Sequence, residues 1–259
     1  MDMIQVVRNR TAQFNNSERI ANSPLRSTLK LVYYRIFSYF YHIAGSSCDV
    51  IMVNSTWTRS HIANLWPSKR RVITTVYPPV DIQALTKIAL NSSERNPSLI
   101  MSLAQFRPEK NHILQLEAFS ILVQKLSKAP QPIKPKLVLI GGARSIEDQD
   151  RVNMLMELSV SRFRFSVPDQ VEFVVNAPRA KVMSYLERAA IGLHTMKDEH
   201  FGISIVELQA AGVIPIGHYS GGVSLDIIQN GINGFLANNA EEYAKSMEQI
   251  LEMSADQKL

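Results

Sequence analysis

Two carboxylates eight residues apart, Glu199 and Glu207, flank a Phe201-Gly202 turn in the stretch His194-Thr-Met-Lys-Asp-Glu-His-Phe-Gly-Ile-Ser-Ile-Val-Glu-Leu-Gln-Ala-Ala-Gly212. The stretch begins as the apolar run Ala190 to Leu193 ends and turns into a helix near Gly202. Unpaired N–H groups in the first turn of a helix, together with its dipole, favour an anion, above all a phosphate. Glu199 lies in the loop and Glu207 about one and a half turns into the helix, so they face a ligand at different distances from its phosphates. That arrangement suits two hydroxyl-bearing rings joined by a diphosphate, which is the form of a nucleotide sugar. The plain alternative is a pair of acids on a solvated helix.

Upstream, Gln105-Phe-Arg-Pro-Glu-Lys-Asn-His112 places Arg107 and Lys110 three residues apart. Two cations at that spacing can clamp a diphosphate, Arg by its bidentate fork and Lys as a point charge. Taken alone, they read better as a solvated loop pair tied to Glu109 or Glu117, and the glutamate motif on the same sheet edge reverses that preference. Other suggestive letters have simpler explanations. Asp148-Gln-Asp150 spells a metal-binding D-x-D but falls at a helix start, where capping and first-turn dipole compensation account for it. Gly141-Gly142 is not a dinucleotide fingerprint, and a tight turn under a nucleotide suffices for it. His112, His194 and His200 lack metal-ligand spacing, and Cys48, the single cysteine, excludes both a disulfide and a Cys-based zinc site.

These residues need elements to hold them. Short apolar runs at 99–104, 136–140, 171–175, 190–194, 213–217 and 234–236 read as strands. Amphipathic helices alternate with them, such as Leu114, Ala118, Ile121 and Leu122, or Tyr243, Met247, Ile250 and Leu251. The alternation predicts an α/β fold with a doubly wound parallel sheet, which binds ligands past the C-terminal ends of its strands. Arg107, Gly141-Gly142, Asn176, Glu199 and Ser220 all fall at such ends. Further upstream, 49–53 and 71–76 read as strands, and Ser55 caps a helix reaching about Trp66. The polar stretch 81–97 is the predicted linker, with the tail end of a first α/β domain at 1–80 and a ligand-binding domain at 98–259.

The 259 residues are 46% hydrophobic and 20% charged, enough to build a core. The net charge of +5 is concentrated in an N-terminal arm, and no basic and aromatic pattern marks a nucleic-acid module. No signal peptide and no uninterrupted membrane-spanning run is visible. The segment 29–48 crowds Leu31, Val32, Tyr33, Tyr34, Ile36, Phe37, Tyr39, Phe40, Tyr41 and Ile43 around Lys30 and Arg35. It reads either as an interfacial membrane helix or as a core helix against a further domain.

The Glu199-x7-Glu207 pair, the Gln105–His112 stretch and Ser220-Gly-Gly222 together resemble the signature of the retaining glycosyltransferases with the two-domain GT-B fold (glycosyltransferase family 4). The words VNSTWT, VYPPVD, QFRPEKNH, LVLIGGAR, IGLHTM and EHFGISIVE are similar to a mannosyltransferase branch. That branch adds α-1,2-mannose to dolichol-linked oligosaccharide on the cytosolic side of the endoplasmic reticulum. The resemblance implies GDP-mannose as donor, a lipid-linked oligosaccharide as acceptor, and no metal or other cofactor. It also implies the reticulum membrane surface and other glycosyltransferases of the same route as partners. By resemblance, Arg107 and Lys110 hold the donor's phosphates and steady the leaving diphosphate. Glu199 accepts hydroxyls of the donor sugar, and the backbone N–H groups of Phe201, Gly202 and Ile203 meet its hydroxyls and phosphate. Glu207 takes the ribose hydroxyls. The family's first domain carries an acceptor site and a glycine-rich turn that nothing here matches. Two alternatives therefore stand: a nucleotide-sugar-binding fragment or subunit completed by another chain, and a GT-B transferase with a different donor, UDP-glucose or UDP-GlcNAc.

Overall fold

The computed structural model describes residues 3–10, 18–88, 95–128 and 133–253. Contacts divide the chain after Tyr77 into two units, Met1–Tyr77 and Pro78–Leu259.

The first unit opens with two short helices, α1 (Met3–Arg8) and α2 (Glu18–Ala21), and a long one, α3 (Pro24–Ser46). The long helix starts at Pro24 because proline suits the first helical position and Ser23 caps it, accepting from the Arg26 N–H. It carries Arg26, Lys30 and Arg35 and no acid. Its small residues Ser27 and Gly45 are buried, whereas Leu29, Tyr33, Ile36, Phe37, Tyr39 and Phe40 are exposed, an inversion of the usual amphipathic arrangement. Gly45 lies flat against the Trp66 indole, where a side chain would overlap the ring. Then come β1 (Ile51–Val53), α4 (Thr56–Leu65), capped by Ser55 as predicted, and β2 (Ile73–Thr75), paired in parallel with β1. Ile51, Val53, Trp66 and Ile73 form a small core, while Met52 on the other face of β1 is 70% exposed.

Among the described residues, the second unit is a six-stranded, all-parallel sheet in the order β5-β4-β3-β6-β7-β8. The strands are β3 (Asn96–Leu103), β4 (Lys136–Gly141), β5 (Val171–Val175), β6 (Ala189–His194), β7 (Ile214–His218) and β8 (Phe235–Ala237), close to the predicted runs. The central strands are continuous apolar runs because helices cover both faces. Period-2 alternation splits them: Ile100, Leu137, Leu139 and Ile191 face one core, and Met101, Val138 and Ile140 the other. The first core is closed by α5 (His112–Leu126), α6 (Ile146–Ser161) and α9 (Ala240–Glu252), the second by α7 (Arg179–Arg188) and α8 (Ile203–Ala210). In α5 the buried stripe runs through Leu116, Phe119 and Leu122, with the predicted Leu114 and Ile121 half-buried beside it. The predicted linker 81–97 contributes to this unit: Leu85 and Ile88 lie in the second core and Asn96-Pro97 begin β3. Residues 89–94 of that stretch lie outside the described residues.

Candidate active site

Because β3, β4, β6 and β7 are parallel neighbours, their C-terminal ends open on one edge, and four loops meet there. Past β3 the backbone continues the ladder, with Ala104 N–H donating to the Ile140 carbonyl at 3.0 Å and Phe106 N–H to that of Gly142 at 3.0 Å. Gly141 permits this approach, since a side chain there would strike the Ala104 carbonyl. Asn176 seals the Gly-Gly turn from the β5 side, accepting from Ala143 N–H at 2.9 Å and donating to the Ala143 carbonyl at 3.0 Å. The chain then makes a single 3-10 turn, Pro108–Lys110, and reverses at Asn111 in the left-handed conformation (φ 49°).

Lys110 leaves that turn and meets Glu199 across the edge, its Nζ 2.6 Å from Oε2, with Met196 Sδ at 3.1 Å. The Lys110 backbone is held from below. The Thr195 hydroxyl, buried at the end of β6, lies 2.8 Å from the Lys110 carbonyl and 3.2 Å from that of Asn111, and accepts from Gln115 Nε2 at 2.8 Å. His194, only 3% exposed, brings Nε2 to 3.4 Å from the same Glu199 oxygen, short of a formed hydrogen bond. Burial would raise the Glu199 carboxyl. The nearby His194 ring and the Lys110 ammonium outweigh it and hold the group down at about 2.

The loop bearing Glu199 is gripped by Ser220-Gly221-Gly222. Asp198 N–H donates to Ser220 Oγ at 2.7 Å, His218 Nδ1 sits 2.9 Å from that hydroxyl, and Gly222 N–H donates to the Glu199 carbonyl at 2.8 Å. Gly221, at φ 66°, lies so close to the Glu199 backbone that a Cβ would collide with the Glu199 carbonyl. Gly202, at φ 111° and ψ 60°, is the N-cap of α8 and has no capping side chain. Phe201 beside it is buried, and Ile203, the first helical residue, is 46% exposed.

The remaining predicted residues are placed differently. Arg107, 45% exposed, points toward Asp148, its Nε 4.0 Å from Oδ1, so Lys110 rather than Arg107 reaches the Phe-Gly loop. Asp148 is a helix cap, closing a capping box with Ser145 at the start of α6, as the sequence reading had it. Glu207 is taken by Arg179 of α7, Nη1 to Oε1 3.0 Å. His112 is a core residue stacked on Phe106 with ring centroids 5.0 Å apart. Burial, with Arg151 and Lys110 nearby, pushes it down to about 3. Sequence reasoning missed Thr195, Gln115 and His218. A glutamine inside the apolar stripe of α5 was the available signal.

The family described as Glycosyl transferases group 1 matches residues 86–258, the span that carries this site. The chain belongs to the group 1 glycosyl transferases. Ahead of that span, residues 1–66 match the family described as ALG11 mannosyltransferase N-terminus. Relatives include the GDP-Man:Man(3)GlcNAc(2)-PP-Dol alpha-1,2-mannosyltransferases of Xenopus laevis, 48% identical over 263 residues, and Homo sapiens, 45% identical over 262. Each alignment covers 100% of this chain, and 53% and 52% of the relative. The chain thus spans about half the length of the curated relatives it matches. Solved structures share the fold. Anabaena HepE in complex with UDP and glucose superposes with a TM-score of 0.65 at 20% identity, over 83% of this chain and 56% of that one. The α,α-trehalose 6-phosphate synthase of Burkholderia multivorans gives 0.69 at 17% identity, over 91% and 57%. The expected GT-B α/β fold is borne out by these neighbours.

Proposed function

We propose that the chain binds GDP-mannose at the Lys110–Glu199 edge and acts in α-1,2-mannose transfer to a dolichol-diphosphate-linked oligosaccharide. The names of its relatives support this donor and acceptor. The observation that carries the site is the 2.6 Å pairing of a cation and a carboxylate from two different strand ends, beside the start of α8. A donor offering a diphosphate and sugar hydroxyls supplies one partner for each.

In this reading the acceptor hydroxyl attacks the anomeric carbon on the face from which the phosphate leaves. The bond from that carbon to the phosphate oxygen breaks as the new glycosidic bond forms, and the acceptor's proton passes to the departing diphosphate. Lys110, the first N–H groups of α8 and Arg107, turned from Asp148, supply positive charge to the leaving group without a metal. The test is a transfer assay with purified chain, GDP-mannose, a lipid-linked acceptor and EDTA. Mannose appearing in the lipid fraction supports the reading, and donor left intact while binding it counts against transfer by this chain.

A second reading, a nucleotide-sugar-binding part completed by another chain, is favoured by the first unit, whose described residues pair only two strands. The same assay separates the two. We also place the protein on the cytosolic face of the endoplasmic reticulum. No helix among the described residues is long and apolar enough to cross a membrane. The exposed aromatic face of α3, flanked by three cations and no acid, suits the headgroup boundary instead. Flotation with anionic vesicles that survives deletion of 24–46 would remove that assignment.

A further inference from the structure

Glu199 Oε2 has two neighbours competing for it. Lys110 holds it at 2.6 Å, and His194 Nε2 waits at 3.4 Å. A carboxylate oxygen accepts from more than one donor, but the donor's diphosphate offers the Lys110 ammonium a second anion and draws it off Oε2. The carboxylate would then be half-buried with its cation gone, which is costly unless another donor replaces it.

We propose that His194 is a positioning residue: as the diphosphate draws Lys110 off, the imidazole closes on Glu199 Oε2 and keeps the carboxylate ionised and aimed at the sugar. This rests on the reading that a nucleotide sugar occupies the site.

Three observations support it. Neither ring nitrogen of His194 makes a hydrogen bond, although the residue is only 3% exposed, and buried polar atoms in that state are uncommon. The ring must approach by roughly half an ångström to reach an ordinary N–H···O distance. Its backbone is fixed meanwhile: His194 pairs with Gly217 across β6 and β7, and its carbonyl accepts from the buried Tyr243 hydroxyl at 2.8 Å. Finally, the adjacent Thr195 holds the Lys110 carbonyl, so one strand end manages both partners of the exchange.

The charged and titratable groups acting on this oxygen are Lys110 from the 3-10 turn and His194 from β6, while Lys197 and Asp198 of the loop act on His218. Behind them stand His218 of β7 and Glu242 of α9. Burial and Lys197, with a smaller contribution from His194, hold His218 below its ordinary range.

The test is calorimetric titration of the full chain with GDP-mannose in two buffers of different ionisation heat, which counts protons taken up on binding. Near neutral pH the diphosphate of GDP-mannose has no proton to exchange. Wild type and H194Q, whose amide nitrogen falls near Nε2, are expected to bind without proton uptake. H194L should bind about tenfold or more weakly at neutral pH and take up a proton, because its bound-state carboxyl rises above the free-state one. Its affinity therefore recovers as pH falls. H194N, whose nitrogen falls near Nδ1, should follow H194L. Wild-type affinity and proton count in H194L overturn the proposal. Should H194L fail to fold, identical behaviour of H194Q and H194N overturns it. If wild type binds no nucleotide sugar, the site reading itself fails and this proposal falls with it.

Discussion

Burial disfavours the ionised form of Glu199, but Lys110 at 2.6 Å, with His194 beside it, leaves the carboxyl at about 2. A carboxyl depressed on folding contributes stability that is present above its unfolded value and lost as pH falls toward the folded one. Urea unfolding of the wild type should therefore lose on the order of 2 kcal/mol more between pH 5 and 2 than unfolding of E199Q. The two acids should also separate kinetically. E199Q is expected mainly to cut turnover in the transfer assay, whereas E207A should mainly weaken donor affinity, by about tenfold for a lost charge-assisted bond. Equal, wild-type behaviour of both would remove the site. Glu199 and Lys110 were legible because chemistry constrains their types and spacing. Thr195 and Gln115 were not: a hydroxyl at a strand end acquires meaning only once the register brings it under Lys110. Arg107 shows the converse, a motif cation whose side chain follows a local carboxylate instead of the partner its spacing suggests.

At the level of elements, the loop carrying Glu199 has its shape set by Ser220-Gly221-Gly222, which grips it through the Ser220 hydroxyl and the Gly222 N–H. A methyl group at Gly221 meets both a left-handed backbone and the Glu199 carbonyl. G221A should cost about 1–2 kcal/mol in conformation and displace the carboxylate as well, so the thermal shift produced by GDP-mannose should shrink while the fold persists by circular dichroism. The strands were readable to within a few residues at each end, because parallel central strands covered on both faces announce themselves as unbroken apolar runs. α3 extends farther back than expected, to Pro24, since Ser23 and Pro24 form a start signal that the polar composition around them obscured. The stripe of α5 was read with Ala118 and Leu122 at its buried centre but with half-buried Leu114 and Ile121 in place of Leu116 and Phe119, because apolar residues surround most of that helix and periodicity loses its contrast.

For the molecule as a whole, the sequence suggests a tether where the structure has a core contribution. A fragment starting at residue 78 keeps Leu85 and Ile88, whereas one starting at residue 98 loses both buried side chains and the first two residues of β3. Losses of about 2–5 kcal/mol for each large core side chain predict a clearly lower melting temperature for the shorter fragment, measured by differential scanning calorimetry. Composition misled here because the Asn, Ser and Pro residues of 91–97 drew the polar reading over the apolar residues before them, of which long-range packing recruits Leu85 and Ile88. The pairing of Lys110 with Glu199 also bears on which anions the edge refuses. A self-neutralised pair holds little attraction for stray inorganic phosphate. A spent nucleoside diphosphate offers the lysine a new partner but brings no sugar hydroxyls to the carboxylate, so it should be held more loosely than the intact donor, and the edge would empty itself after each turnover.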